Sequence, residues 1–389
     1  MASPRVMFVN HTSAIAGAEL VLLDVVRAWR GATAFLFEDG PLEGAMRGKG
    51  LDIVKSRFGG GLAVVKRDAS LWRAAPLAGR LAGVTLEIAG AARRHDVIYA
   101  NSQKAFVLAA LAHAVARRPL VWHLHDIIDG SHFGAGQRRL QVALANRFAA
   151  RVIVPSEAAA TAFVSAGGRD GLVEVVPNGV DIVRDPRSRD DLRRDLGLPA
   201  GRLVGVFSRL APWKGQHVVI EALRALPDTR LLIVGDALFG EQAYAATLRR
   251  QVETLGLADR VLFLGHRPDV PLLMQAVDAM VHPSVSPEPF GRTLVEAMLS
   301  RVPVIATEAG AAPDILDHGG AGTLVPPADA MALAAALARV LDTPGVPADQ
   351  IDRAEARARR RYGVAAMQDA VAAVIARVAG DHPAAGARA

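Results

Sequence analysis

The feature that most constrains this chain is a rhythm of short apolar runs, each ending in small or polar residues and followed by a helical pattern. Residues 5–10 form the first run, followed by a small-residue turn and an apolar helical stretch over 20–29. The unit recurs at 96–100 with a helix from 105, at 120–124, at 151–155 with a helix from Ser156, and at 173–176. Ser156 suits a helix N-cap and Glu157 its first turn. A second series follows at 203–208, 231–234, 261–264, 279–282 and 304–306. Apolar runs alternating with helices predict parallel sheets covered on both faces. Two such series predict two Rossmann-like α/β domains facing across a cleft, with ligands at the carboxyl ends of the strands.

A length of 389 residues suits two domains. The charged, proline-bearing stretch Asp185-Pro186-Arg187-Ser188-Arg189-Asp190-Asp191 reads as the start of a linker. The expected division is an N-terminal acceptor domain over 1–184, a linker over 185–200, and a donor domain over 201–360. Residues 361–389 complete a helix read over 354–379, then fray.

Several function classes drop out. The chain has no cysteine, which removes thiolate nucleophiles, disulfides and cysteine-based zinc sites and fits a cytosolic protein. Residues 1–10 hold too short an apolar run for a secretory leader, and the apolar stretch 105–116 is too short to cross a bilayer, so a soluble protein is expected. The net charge of +6 lies in the first half: residues 1–185 carry 22 Lys/Arg against 16 Asp/Glu, and the remainder 23 against 23. An anionic partner would meet that half, although solvated basic faces account for the same numbers. Nucleic-acid binding is not expected, because no aromatic-basic module accompanies the charge.

No G-x-G-x-x-G is present, and the nearest approach to a P-loop, Gly235 to Gly240, is followed by Glu241 rather than lysine. No D-x-D presents a divalent cation to a diphosphate, so no metal or other cofactor is expected. Fixed cations would then neutralise phosphate, and Arg209 and Lys214, flanking a turn that ends at Gly215, are the candidates. Gly235 and Gly265-His266 end two further runs and permit close backbone approach to a base. Pro287-Glu288-Pro289-Phe290-Gly291-Arg292-Thr293-Leu294-Val295-Glu296 is a turn leading into a helix, with carboxylates eight residues apart to accept hydroxyl hydrogen bonds. The helix start offers free N–H groups to phosphate.

The order Ser208-Arg209-Leu210…Lys214-Gly215, Val234-Gly235-Asp236, Leu264-Gly265-His266, Glu288-Pro289-Phe290-Gly291…Glu296 and Pro303-Val304-Ile305-Ala306-Thr307 resembles glycosyltransferase family 4 of the GT-B fold. Ala16-Gly17-Ala18-Glu19 and Val176-Pro177-Asn178-Gly179-Val180-Asp181 extend the resemblance over nearly the whole chain. It implies a retaining, metal-independent transfer of a hexose from a nucleotide diphosphate sugar. UDP is the expected nucleotide, with GDP and ADP as alternatives, and a glycan, lipid-linked or small-molecule hydroxyl is the acceptor. By the resemblance Arg209 and Lys214 bind the diphosphate, Glu288 the donor sugar and Glu296 the ribose. Backbone at His266 and Arg267 meets the base, Phe290, Gly291 and Leu294 line the donor, and Gly17 offers its N–H to the phosphates. The final helix crosses back onto the N-terminal domain. The chain departs from the family at Ala16, where a glycine is usual, and at Gly310-Ala311-Ala312-Pro313-Asp314-Ile315, where G-G-x-x-E-I is usual.

Alternation sends His123 and His125 to one face of their strand. Zinc would need a third ligand, which the spacing does not supply. By the resemblance His125 lies near the reacting carbon, with Asp126 beside it. His11, Thr12, Asn101 and Lys104 follow other strands and are candidate acceptor contacts. Residues 68–94 mix Trp72, Leu71 and Leu77 with Arg73, Arg80, Arg93 and Arg94, the pattern of a surface helix or of a membrane-facing one. The expected location is cytoplasmic, with peripheral contact at the inner membrane face through the basic half. A nucleotide-sugar 2-epimerase and a non-catalytic nucleotide-sugar-binding protein are the rival readings on the same fold.

Overall fold

The computed structural model describes residues 3–60, 77–130, 133–238, 240–342, 346 and 348–381. Two compact units divide it: Met1–Gly179 with Val364–Ala389, and Val180–Gly363.

The first unit holds a parallel sheet of seven strands, β1 (Val6–Asn10), β2 (Thr33–Leu36), β3 (Asp52–Lys55), β4 (Val97–Ala100), β5 (Leu120–His123), β6 (Ala149–Val154) and β7 (Val173–Val175). Their order is β3-β2-β1-β4-β5-β6-β7, so the direction of winding reverses between β1 and β4. The second unit holds six parallel strands, β8 (Arg202–Phe207), β9 (Thr229–Val234), β10 (Val261–Gly265), β11 (Ala279–His282), β12 (Val304–Thr307) and β13 (Thr323–Val325). Their order is β10-β9-β8-β11-β12-β13, with the reversal between β8 and β11.

Side-chain alternation feeds a core on each face of both sheets. Met7 and Val9 join one core of the first sheet, and Val6 and Phe8 the other. Leu203 and Phe207 likewise oppose Val204 and Val206 across the second sheet. Burial on both faces is why these strands read as continuous apolar runs. The sequence reading omits β2, β3 and β13. β3 is largely exposed and bears Asp52 and Lys55 at its ends, and β13 is three residues long, so neither carries the apolar run of a central strand.

The expected linker is a correction. Residues 185–200 belong to the second unit, where the helix Arg189–Asp195 buries Leu192 and Arg193. Arg193 donates to the carbonyls of Ala276 (2.7 Å) and Gly201 (2.8 Å) and pairs with Asp278 at 2.8 Å. Arg193 is therefore an internal charge, while Arg187, Arg189 and Asp190 are exposed. The single helix expected over 354–379 is also interrupted, into Ala348–Arg361 and Val364–Asp381. At the break, the Tyr362 carbonyl accepts the Val180 N–H at 2.7 Å. The first helix belongs to the second unit. The second helix packs Met367, Val371, Val374, Ile375 and Val378 into the core of the first unit, and Gln368 donates to the Asp24 carbonyl at 2.6 Å.

Of the amphipathic stretch 68–94, residues 68–76 lie outside the described residues. The remainder forms the helix Ala78–Ala92, with Val84, Ile88, Ala89 and Ala92 in the core and Leu86 exposed.

Candidate functional site

In open parallel sheets ligands bind beyond the carboxyl ends of the strands, where the winding reverses. In the second unit that place is bounded by the segments after β8 and β11, which carry the predicted Lys214 and Glu288. The chain leaves β8 through Ser208 and Arg209, makes a short turn at Pro212–Lys214, and starts a helix at Gln216. Gly215 joins turn to helix with φ of 71°, and a Cβ there would stand 1.9 Å from the Pro283 carbonyl oxygen after β11. Only glycine lets the two segments approach this closely.

The approach brings Lys214 Nζ within 2.5 Å of Glu288 Oε1, both side chains being about nine-tenths buried, at 10% and 13% exposure. The other carboxylate oxygen of Glu288 meets His282 Nε2 at 2.5 Å and accepts from Ser284 Oγ at 3.0 Å. His282 Nδ1 faces Thr293 Oγ1 at 3.3 Å. Burial alone would raise the Glu288 carboxyl, but the charges of Lys214 and His282 and their hydrogen bonds outweigh it and hold the group well below the usual carboxylate range. Gly310 completes the cradle: with φ of 61°, a Cβ there would lie 2.3 Å from the Glu288 backbone N and O. The Ala311 N–H donates to the Glu288 carbonyl at 3.0 Å.

Arg209 and Lys214 converge on one ring. Lys214 Nζ lies 4.3 Å and Arg209 Cζ 5.4 Å from the Trp213 centroid. Arg209 also donates to Glu241 at 3.0 Å. Burial raises the Glu241 carboxyl and Arg209 opposes the shift. Gly235 follows β9 and donates its N–H to the Gly265 carbonyl at 2.8 Å. His266 is exposed after β10, and Arg267 is paired with Asp269 at 2.7 and 2.5 Å.

Gly291 precedes the helix Arg292–Leu299. Glu296, partly buried on that helix, has its carboxyl raised by burial against the opposing charge of Arg292, whose Nε is 3.8 Å away. Phe290 and Leu294, the expected donor lining, are buried residues of the second unit. They are 3% and 0% exposed within the core, Phe290 edge-on to Tyr362 at 5.6 Å. Asp314, at the place where the family has glutamate, pairs with Arg357 at 3.6 Å and Arg361 at 3.7 Å.

In the first unit the reversal lies between β1 and β4. His11 Nδ1 there meets Ser102 Oγ at 2.7 Å, and buried Asn101 takes His125 Nε2 on its Oδ1 at 2.9 Å. Burial lowers the His125 pKa to about 3. His123 and His125 do share a face, with ring centroids 3.9 Å apart. The Tyr99 hydroxyl occupies His123 Nδ1 at 2.5 Å. Asp126 accepts from Gln103 at 2.9 Å. Lys104 and Thr12 lie half-buried in the segments after β4 and β1. Gly17 is exposed at the first turn of the helix Gly17–Val25, with open space over its Cα. Glu19 is buried behind it and accepts from the Ala16 N–H at 3.2 Å. Among the described residues, no three His, Asp or Glu side chains converge as a metal site requires.

Sequence reasoning did not single out His282, Ser284, Trp213, Glu241 or Asn10. His282 ends an apolar run and Trp213 stands between the two expected cations, so position carried a signal for both. The others acquire a role only through contacts distant in sequence.

Comparison with known proteins bears on this arrangement. Residues 188–359 match the family described as Glycosyl transferases group 1, and residues 15–184 match Glycosyltransferase Family 4. A solved structure of Anabaena Alr3699/HepE in complex with UDP and glucose is 39% identical, covers 96% of this chain and 99% of its own, and superposes with a TM-score of 0.85. The 2-deoxystreptamine glucosyltransferase of Streptomyces kanamyceticus is 30% identical over 75% of this chain and 70% of its own length. The lipopolysaccharide core biosynthesis mannosyltransferase LpcC of Rhizobium leguminosarum bv. viciae is 31% identical over 54% of this chain, and the match spans 60% of that relative's length. Family matches on both units, with two reversal points laid out as in a Rossmann sheet, place this chain in glycosyltransferase family 4, with the GT-B fold.

Proposed function

We propose that this chain transfers a hexose from a nucleotide diphosphate sugar to a hydroxyl acceptor, with retention at the anomeric carbon and without a metal ion. The observation that carries the reading is the buried Lys214–Glu288 pair at the reversal point of the second sheet. It sets a fixed cation beside a carboxylate that is held ionised. Lys214 and Arg209 offset the charge that develops as the diphosphate leaves, while Glu288 accepts from sugar hydroxyls and Glu296 from the ribose. The base meets backbone at Gly235, His266 and Arg267, and the N–H groups from Gly291 and Gly17 meet phosphate.

In the transfer, the bond from C1 to the β-phosphate oxygen breaks and the acceptor oxygen bonds C1 from the same face. The acceptor proton passes to the leaving phosphate oxygen, so no protein base is required. Catalysis is then positioning and charge stabilisation, with His125 close to the sugar, His11, Lys104 and Asp126 on the acceptor side, and Asn101, expected there too, buried behind His125. UDP is the proposed nucleotide, supported by the UDP and UDP-glucose complexes of the similar Anabaena protein. A glycan, lipid-linked or small-molecule acceptor, a cytoplasmic location and peripheral membrane contact through the basic first half belong to the same proposal.

The test is a thermal-shift and donor-hydrolysis screen against UDP-, GDP-, ADP- and TDP-sugars in EDTA. A ligand at 100 times its Kd adds about 2.7 kcal/mol to folding stability. Selective stabilisation by UDP-sugars with slow UDP release is the expected result. Silence toward every donor, or dependence on added metal, would overturn the reading.

A further inference from the structure

Four side chains in the first unit, drawn from the first helix and three strand ends, form one directed chain of hydrogen bonds. Asn10 Nδ2 donates to Glu19 Oε1 at 3.3 Å, Asn101 Nδ2 donates to Asn10 Oδ1 at 3.3 Å, and His125 Nε2 meets Asn101 Oδ1 at 2.9 Å. Asn10 and Asn101 are fully buried and Glu19 is 4% exposed. Amides so enclosed keep one orientation only if every polar atom is satisfied.

Backbone carbonyls fix the direction of each bond. Asn10 Nδ2 also reaches the Thr12 carbonyl at 2.8 Å. A carbonyl only accepts, so the nitrogen of Asn10 faces it and the oxygen faces Asn101. Asn101 Nδ2 in turn reaches the Ala18 carbonyl at 3.4 Å, which leaves its oxygen toward His125. A carboxamide oxygen cannot donate, so His125 Nε2 must carry a hydrogen. With its pKa lowered to about 3, the ring is neutral near pH 7, and the lone pair resides on Nδ1.

We propose that Asn101, oriented through Asn10 and anchored at Glu19, is a positioning residue that locks His125 in its Nε2–H tautomer and presents Nδ1 as a hydrogen-bond acceptor to a substrate hydroxyl. The proposal rests on the reading of His125 as a site residue. It also selects the ligand chemistry. A bare Nδ1 accepts from a sugar or acceptor hydroxyl and has nothing to offer a phosphate oxygen, which itself only accepts. The second oxygen of Glu19 takes the Ala16 N–H, so one carboxylate both anchors the relay and shapes the turn that carries Gly17. The titratable groups around the ring are His123, packed at 3.9 Å and held by Tyr99, Asp126 beside it in the chain, and Glu19 at the far end of the relay.

The experiment is nitrogen-15 NMR of the full chain with labelled histidine, with the His125 signals assigned by their loss in His125→Gln. The wild type should carry its ring proton on Nε2 from pH 5 to 8. Asn101→Leu should release the tautomer to a mixture. Asn101→Asp, nearly identical in shape, should keep Nε2–H and raise the titration of His125 by about 1–3 pH units, because a carboxylate then faces the ring. The signals of the other histidines report whether each variant is folded. A wild-type proton on Nδ1, or an unchanged tautomer in Asn101→Leu, overturns the relay. The spectra need no substrate, so they are independent of the proposed reaction. Transfer at the wild-type rate by His125→Ala would overturn the substrate half of the proposal and the reading it rests on, leaving the tautomer assignment untouched.

Discussion

Lys214→Ala removes the cation from a buried ion pair of the second unit, and its consequences divide into two measurable parts. The first is stability. Breaking a buried pair by deleting one partner costs about 3–5 kcal/mol, because the remaining charge is left desolvated. Glu288 would keep His282 at 2.5 Å and Ser284 at 3.0 Å, which places the cost near about 3 kcal/mol. At roughly 2–4 °C per kcal/mol for a unit of this size, the midpoint of thermal unfolding should fall by about 6–12 °C. The loss has a pH signature. The Glu288 carboxyl is depressed in the folded state, so its contribution is complete above the unfolded value near about 4.3 and declines as pH falls toward the folded one. The gap between wild type and variant should therefore be widest above about pH 5 and narrow below it in urea titrations.

The second part is turnover. Removing one fixed group that stabilises developing charge typically lowers kcat by about 100- to 1,000-fold. Lys214→Met retains most of the stem and omits the charge, so it distinguishes loss of the cation from loss of packing, and rates taken below the lowered midpoint separate turnover from stability. Initial rates of nucleotide diphosphate release, at saturating donor and below the lowered midpoint, provide the assay. A variant that lost the expected stability but turned over within about threefold of wild type would assign Lys214 to structure alone and refute the catalytic argument.

Three further outcomes follow from the geometry. Glu296→Ala should weaken binding of every ribonucleotide donor alike by isothermal titration, and a change of sugar preference at constant nucleotide affinity would remove the ribose role. Gly215→Ala should destabilise by at least about 2 kcal/mol in denaturant unfolding, since a side chain would be forced into the left-handed region and against the Pro283 carbonyl oxygen at 1.9 Å. With a pKa lowered to about 3, His125 takes up a second proton only at strongly acid pH, so any acid limb of the kcat profile between pH 5 and 7 should persist in His125→Gln.

Strand period, the cap at Ser156 and the turn glycines act over a few neighbouring residues, and for that reason the two α/β series and the segments at strand ends were legible in the order of residues. Glu288, Lys214 and Arg209 could be nominated because they sit just after such runs. The sequence could not show that Lys214 and Glu288, 74 residues apart, meet as a buried pair, or that His282 grips the far oxygen. Nor could it show that Asn101 reaches Asn10 across 91 residues to orient His125. The same limit explains the misplaced linker, since the charge of Arg193 is internal only because Asp278 lies beneath it. Nor could the motif show that Phe290 and Leu294 are packed into the core. What the sequence determined by itself was periodic and local, written in side-chain alternation along the backbone. What the tertiary structure decided was which distant polar groups share a buried volume, and in that low-dielectric space proximity sets charge, tautomer and chemistry.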